Sequence, residues 1–68
     1  MKLSARNILK GKIVEVVKGQ TTAHVFIDVK GASLTAAITN EAADDLKLKK
    51  GMKAAAVIKA SDVIVAVD

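Results

Sequence analysis

Two short segments of this 68-residue sequence carry side chains whose types and spacing could do chemistry: Ser4-Ala5-Arg6-Asn7 near one end and Lys59-Ala60-Ser61 near the other. Both combine hydrogen-bond donors with an alanine, and neither contains a carboxylate or a thiol. Donors without acceptors suit an oxyanion, whose oxygens accept hydrogen bonds and donate none. Ser4 and Ser61 supply hydroxyls, Arg6 a guanidinium and Lys59 an ammonium. Ala5 and Ala60 let a main-chain N–H approach an anionic oxygen closely. Fixed amide dipoles in a concave nest favour an anion even without full ionic pairing. Thr39, at the expected start of a helix, adds a hydroxyl where free N–H groups face outward.

The order of Ser4-Ala5-Arg6-Asn7, Leu9-Lys10-Gly11-Lys12 and Lys59-Ala60-Ser61 resembles that of the Mop family, the molbindins. The resemblance covers essentially the whole chain and implies a single Mop-type domain over residues 1–68. It implies reversible, non-catalytic binding of molybdate or tungstate, with no bare metal cation and no further cofactor. In the family the pocket joins the first segment of one subunit to the Lys-Ala-Ser segment of a neighbour, so the resemblance also implies a homo-oligomer, a hexamer. Carried onto this sequence, the oxyanion-binding positions are Ser4, Ala5, Arg6, Thr39, Lys59, Ala60 and Ser61. Arg6 would act through its backbone N–H at least as much as through its charge, and Asn7 would brace the turn or a subunit contact. Where the family often has a second small hydroxyl residue after Thr39, this chain has Ala42. A second oxyanion site near the symmetry axis would use Gly19, Gln20 and Thr22. Intracellular storage, buffering or delivery of the oxyanion are the roles that fit.

Composition bounds the rest. A domain this small buries only about 60% of its unfolded surface and is marginal alone. There is no Cys for a disulfide and no Cys/His cluster for a structural zinc, so oligomerisation is the remaining source of added stability. Hydrophobic residues make up 51% of the chain, more than so small a domain can hide, which points to apolar area buried between subunits. Phe26 is the only aromatic, so the core must be built from Val, Ile, Leu and Ala. No apolar run is long enough to span a membrane, and Met1-Lys2-Leu3 lead straight into polar sequence without a secretory pattern; a cytoplasmic location is expected.

The net charge of +4 is compatible with a nucleic acid, a membrane surface or a small anion. The lysines are scattered, and only Lys47-Leu48-Lys49-Lys50 clusters, at the expected end of a helix where basic residues oppose its dipole. A single-stranded nucleic acid gripped in a basic groove is the alternative function. Such grooves add aromatic platforms for base stacking, and Phe26 alone is a poor set. A purely structural assembly module would need neither donor-rich segment. Enzymatic readings lack support: Ser4, Ser33 and Ser61 have only His24 to share, and Glu41, Asp44 and Asp45 are placed to compensate a helix dipole. His24, on the polar strand face, could add a pH dependence near neutrality.

The hydrophobic periodicity predicts three strands, a helix and two more strands, the order of a small OB-like Greek-key barrel. The first strand is expected from Leu3 to Lys18, with Gly11 marking a bulge or a close backbone approach. Thr22–Val29 alternates, with Ala23, Val25, Ile27 and Val29 inward. Lys30-Gly31-Ala32 reads as a hairpin, and Ser33–Thr39 as the third strand. Thr39 or Asn40 caps a short helix. Met52–Ala60 and Val63–Val67 read as the fourth and fifth strands, with Ser61-Asp62 at the bend between them. Strand alternation would then send Lys59 and Ser61 to one face.

Overall fold

The computed structural model describes residues 3–68; Met1 and Lys2 lie outside the described residues. Strands β1 (Asn7–Lys18), β2 (Thr22–Val29) and β3 (Ala32–Thr39) run as successive antiparallel hairpins. Helix α1 (Asn40–Asp45) follows, then strand β4 (Lys53–Ile58) and a 3₁₀ turn over Ala60–Asp62. The spatial order β3-β2-β1-β4 is that of a Greek key, with the last strand returning to lie beside the first.

Local chemistry accounts for each element. β2 alternates as its sequence does: Ala23, Val25 and Ile27 are buried, while Thr22, His24 and Asp28 are exposed. Lys30 and Gly31 both have positive φ, the geometry of a two-residue type I′ turn that matches strand twist. The Thr39 hydroxyl accepts a hydrogen bond from Ala42 N at 3.0 Å and so caps α1. At the helix end, Lys47 N donates to Asp44 O and Leu48 N to Ala43 O. This is a Schellman closure with Lys47 in the left-handed conformation.

β1 is the long central strand and serves two partners. Its first half pairs with β4, from Asn7↔Ile58 to Lys12↔Lys53. Its second half pairs with β2, from Lys12↔Asp28 to Lys18↔Ala23, with a bulge between Ile13 and Glu15 that leaves Val14 unmatched. The bulge therefore lies just where β1 leaves β4, later than Gly11 suggests. Gly11 has the other role: a Cβ there would lie 2.1 Å from the Asp28 carbonyl oxygen and 3.0 Å from Val29 Cγ2. The ladder past Lys12 continues through Ile13 N to Met52 O at 2.9 Å and Gly51 N to Ile13 O at 2.7 Å, which ties the turn after α1 to the core.

The core is small. Ile13, Val25 and Ile27 form its centre, with Val16, Val29, Ala36, Ile38, Leu48, Met52, Ala54 and Ala56 packed around them. The all-β Greek-key architecture with one helix between the third and fourth strands matches the sequence expectation, and three of its boundaries differ. β1 begins at Asn7 and not at Leu3, so Ser4–Arg6 are irregular chain. β4 ends at Ile58, and Lys59–Ser61 enter a turn in place of continuing a strand. The expected fifth strand is not formed: residues 63–67 pair with nothing, and Ile64, Val65 and Val67 are 92%, 84% and 91% exposed. A chain with β3 and β4 as its two free edges is a curled sheet, one strand short of a closed barrel. Each such side chain left in water forgoes about 1.5–3 kcal/mol of burial.

Two outcomes follow for stability. Gly11→Ala forces β1 away from the Asp28 carbonyl, and an overpacking cost of about 1–3 kcal/mol is expected as a lower urea midpoint. An unchanged midpoint would show that the strands separate there without loss. Thr39→Ala removes the cap of α1 and should lower stability by about 1 kcal/mol in the same measurement; full retention would mean that packing alone holds the helix.

Candidate functional site

The β1–β4 register decides which of the donor-bearing residues meet. Asn7 is paired with Ile58, so the chain before β1 and the chain after β4 emerge side by side at one end of the sheet. Ser4-Ala5-Arg6 and Lys59-Ala60-Ser61, more than fifty positions apart in sequence, are thereby neighbours. Asn7 fixes the junction, its Nδ2 donating to Ile58 O at 3.2 Å across the ladder. Within the chain this side chain braces neither a local turn nor a subunit contact but the end of β4.

The second segment presents its donors on a turn. Lys59 is extended at φ −65°, ψ 140°, and caps the 3₁₀ turn. Asp62 N then donates to Lys59 O at 2.9 Å and Val63 N to Ala60 O at 3.2 Å. The leading N–H groups of such a turn, those of Ala60 and Ser61, have no partner within it. Two residues apart on a strand would have put Lys59 and Ser61 on one face; on a turn they are offset, and the N–H groups of Ala60 and Ser61 join the donor set instead. Ser4, Arg6, Lys59, Ala60 and Ser61 are all exposed, and Ala5 is half-buried. Asp62, also exposed, closes the same turn and is a carboxylate directly after the second segment. Within one chain the donors therefore line an open surface and do not enclose a ligand.

Thr39 is not among them. It pairs with Thr22, at the β1–β2 hairpin end of the sheet. The 12-residue β1 runs from that hairpin end to the end where Ser4 and Lys59 lie. Thr39 lies instead with the positions of the expected second site. Gly19 N donates to Thr22 O at 2.8 Å and Asn40 N to Thr21 O at 2.8 Å, while Asn40 Nδ2 donates to Gly19 O at 2.9 Å. The Gly19 N–H is thus committed within the hairpin, and Gln20 and Thr22 stay exposed there. Lys18 and Asp44 form a surface ion pair that holds α1 against this end.

One residue's role at this end and one cluster elsewhere were not legible from spacing. Asn40 acts as a clamp between hairpin and helix, and its Oδ1 is buried without a partner. Lys10 and Lys12 share the outer face of β1, and Lys53 stands opposite Lys12 on β4. With Asp28 and the small residues Gly11, Ala54 and Ala55 they line a shallow groove of about 550 Å³. The Lys-Gly-Lys alternation was the available signal for two of these cations; the third requires the strand register. Phe26 is half-buried on β2 and lies outside the groove. His24 is exposed, opposite Val17 and Ala37. Among the described residues no three His, Asp or Glu side chains converge as metal ligands, and no helix is long and apolar enough to cross a membrane.

Comparison with known proteins gives a consistent answer. The TOBE domain profile matches residues 3–65. Molybdenum-pterin-binding protein 3 of Clostridium pasteurianum is 44% identical over 66 residues, which cover 96% of this chain and 97% of that one. Among solved structures, a molybdate-binding protein from Sporomusa ovata superposes with a TM-score of 0.95 at 42% identity, covering 98% of this chain and 100% of that one. The cytoplasmic molybdate-binding protein ModG, with molybdate bound, superposes with a TM-score of 0.89 at 45% identity, over 94% of this chain and 46% of that chain. The fold agrees with these relatives, and the chain belongs to the TOBE-domain family, among its small molybdenum-pterin-binding (Mop, molbindin) members.

Proposed function

We propose that this protein binds molybdate or tungstate by hydrogen bonds, without chemical change to the anion, at the subunit interfaces of a cytoplasmic homo-oligomer. The observation that carries the reading is the Asn7↔Ile58 register, which sets Ser4-Ala5-Arg6 beside Lys59-Ala60-Ser61. Relatives named for molybdate and for molybdenum-pterin support the choice of anion. A pterin ring would call for flat aromatic faces, and the single aromatic, half-buried Phe26, supplies none, so the free oxyanion is the ligand.

The pocket works by matching donors to acceptors. Hydroxyls of Ser4 and Ser61, the Lys59 ammonium and the N–H groups of Ala5, Arg6, Ala60 and Ser61 all point charge or dipole toward an anion. Enclosure comes from a neighbouring copy, because the donors of one chain are open to solvent. Thr39 would join such an interface from another copy, since in its own chain it pairs with Thr22 at the hairpin end of the sheet. The hexamer implied by the family resemblance would satisfy this. Cavity size excludes the smaller sulfate. The donor set offers no carboxylate to the proton of hydrogen phosphate, and Asp62 must therefore stay outside the ligand shell. A second, weaker oxyanion site at Gly19, Gln20 and Thr22 would rest on the Gln20 N–H and the Thr22 hydroxyl, since the Gly19 N–H is already used. Storage, buffering or delivery of the metal oxyanion is the role such reversible binding serves, and the protein is not an enzyme. The groove lined by Lys10, Lys12 and Lys53 is the one feature that favours the alternative, a single-stranded nucleic acid.

Isothermal titration calorimetry with molybdate, tungstate, sulfate, phosphate and a single-stranded oligonucleotide at two salt concentrations separates these readings. Saturable heat with molybdate or tungstate and none with the lighter anions is the expected result. Binding of the oligonucleotide alone, weakening steeply with salt, would transfer the function to the lysine groove. Within the oxyanion reading, Lys59→Ala should weaken molybdate binding roughly 10- to 100-fold, the scale of one charge-assisted hydrogen bond. Ser61→Ala should weaken it less. Unchanged affinity in both variants would sink the pocket.

A further inference from the structure

We propose that the lysine groove over the β1–β4 ladder is the electrostatic approach to the oxyanion pocket: Lys10, Lys12 and Lys53 speed the arrival of the dianion at Ser4–Arg6 and Lys59–Ser61 and do not hold it. The inference rests on the oxyanion reading above and assigns a role to cations that the pocket leaves unused.

Charge is distributed unevenly along this ladder. Residues 4–12 and 53–61 contain Arg6, Lys10, Lys12, Lys53 and Lys59 and no carboxylate. Lys12 stands directly opposite Lys53, an arrangement of like charges that costs stability in a sheet. The ion pair among the described residues is Lys18 with Asp44, so neither lysine is offset by a salt bridge. Asp28 flanks Lys12 on the other side, from β2, which shifts the balance of positive charge toward β4 and Lys10. All three lysines are exposed, and Gly11, Ala54 and Ala55 leave the space between them open. A repulsive pair kept at the surface without a partner supplies field and no stability.

The register aims this field at the pocket. The Lys10↔Ala55 rung lies three rungs from Asn7↔Ile58 and the Lys12↔Lys53 rung five, about 10 and 17 Å along the ladder. Both spans fall within the Debye length of dilute buffer, about 30 Å, and beyond that of molar salt, about 3 Å. The rungs between, Ile8↔Val57 and Leu9↔Ala56, are apolar. A low-dielectric wall between charges of one sign concentrates field lines in the water above it. The groove lacks what holding an anion requires. No hydroxyl lines it, and the Asp28 carboxylate faces any anion that enters. An anion there keeps its water, whereas the pocket adds the hydroxyls of Ser4 and Ser61 and the turn N–H groups of Ala60 and Ser61.

Radiolabelled molybdate bound to the full-length protein and chased with excess unlabelled molybdate gives koff; equilibrium dialysis gives Kd, and their ratio gives kon. In Lys10→Gln/Lys12→Gln/Lys53→Gln, kon should fall roughly 3- to 10-fold at about 10 mM ionic strength with koff unchanged, and the difference should close to under about twofold at about 1 M. Lys18→Gln/Lys47→Gln/Lys49→Gln removes the same charge beyond the ladder and should lower kon far less. An equal loss in both triple variants would overturn the proposal, since net charge alone would then set the rate. A koff that rises in step with Kd would overturn it as well, because the lysines would then touch the bound anion. Lys53→Gln alone should keep or raise the urea midpoint, as it relieves the pair with Lys12; a lowered midpoint would make Lys53 a stabilising residue and remove the case for a field. Wild-type protein that binds no molybdate would refute the oxyanion reading itself, whereas binding with unchanged kon in the groove variant at low salt refutes the approach alone.

Discussion

The antiparallel ladder between β1 and β4 is the constraint on which the rest of the molecule depends. It joins the beginning of the chain to its end, and it does so in one register, Asn7 on Ile58 through Lys12 on Lys53. A slip of one residue would turn Ile13 out of the core and carry Ser4–Arg6 out of step with Lys59–Ser61. Gly11 and the bulge at Val14 make this ladder possible. The first lets β2 cross close over β1, and the second lets β1 change partners from β4 to β2 without losing the inward direction of its apolar residues.

The same geometry ties the proposed function to the proposed assembly of so small a chain. A core centred on Ile13, Val25 and Ile27 is modest, and many Val and Ile side chains stay at the surface. Ile8 and Val57 face each other on the outside of the β1–β4 ladder, each 42% exposed, which adds apolar area at the end where the donors gather. An oxyanion held by exposed donors needs walls, and exposed apolar strands need partners. Association of copies meets both needs at once.

Much of the fold was legible because its signals are local. The alternation of Thr22–Val29, the positive-φ turn at Lys30-Gly31 and the Thr39 cap each depend on a few adjacent residues, and each formed as read. The misreadings have one physical source, since pairing is decided by what lies opposite. Val63–Val67 has the composition of a strand, but within one chain it has no neighbour to pair with. Lys59 and Ala60 were read as the end of the fourth strand because no Gly or Pro marks the turn there. For the site, the donor segments could be recognised from their residue types, whereas their adjacency could not be derived without the register. Thr39 shows the converse: its chemistry suits the ligand, and the register places it at the far end of the sheet. The cluster of Lys10, Lys12 and Lys53 was read as scattered charge for the same reason.

The central claim is that the two segments joined by the Asn7–Ile58 clamp hold the oxyanion. Crystals grown with molybdate and measured at the molybdenum absorption edge would locate the metal directly by its anomalous scattering. The account predicts a strong peak between Ser4–Arg6 and Lys59–Ser61, within hydrogen-bond reach of both. Peaks confined to the Gly19–Thr22 hairpin or to the groove of Lys10, Lys12 and Lys53 would contradict it.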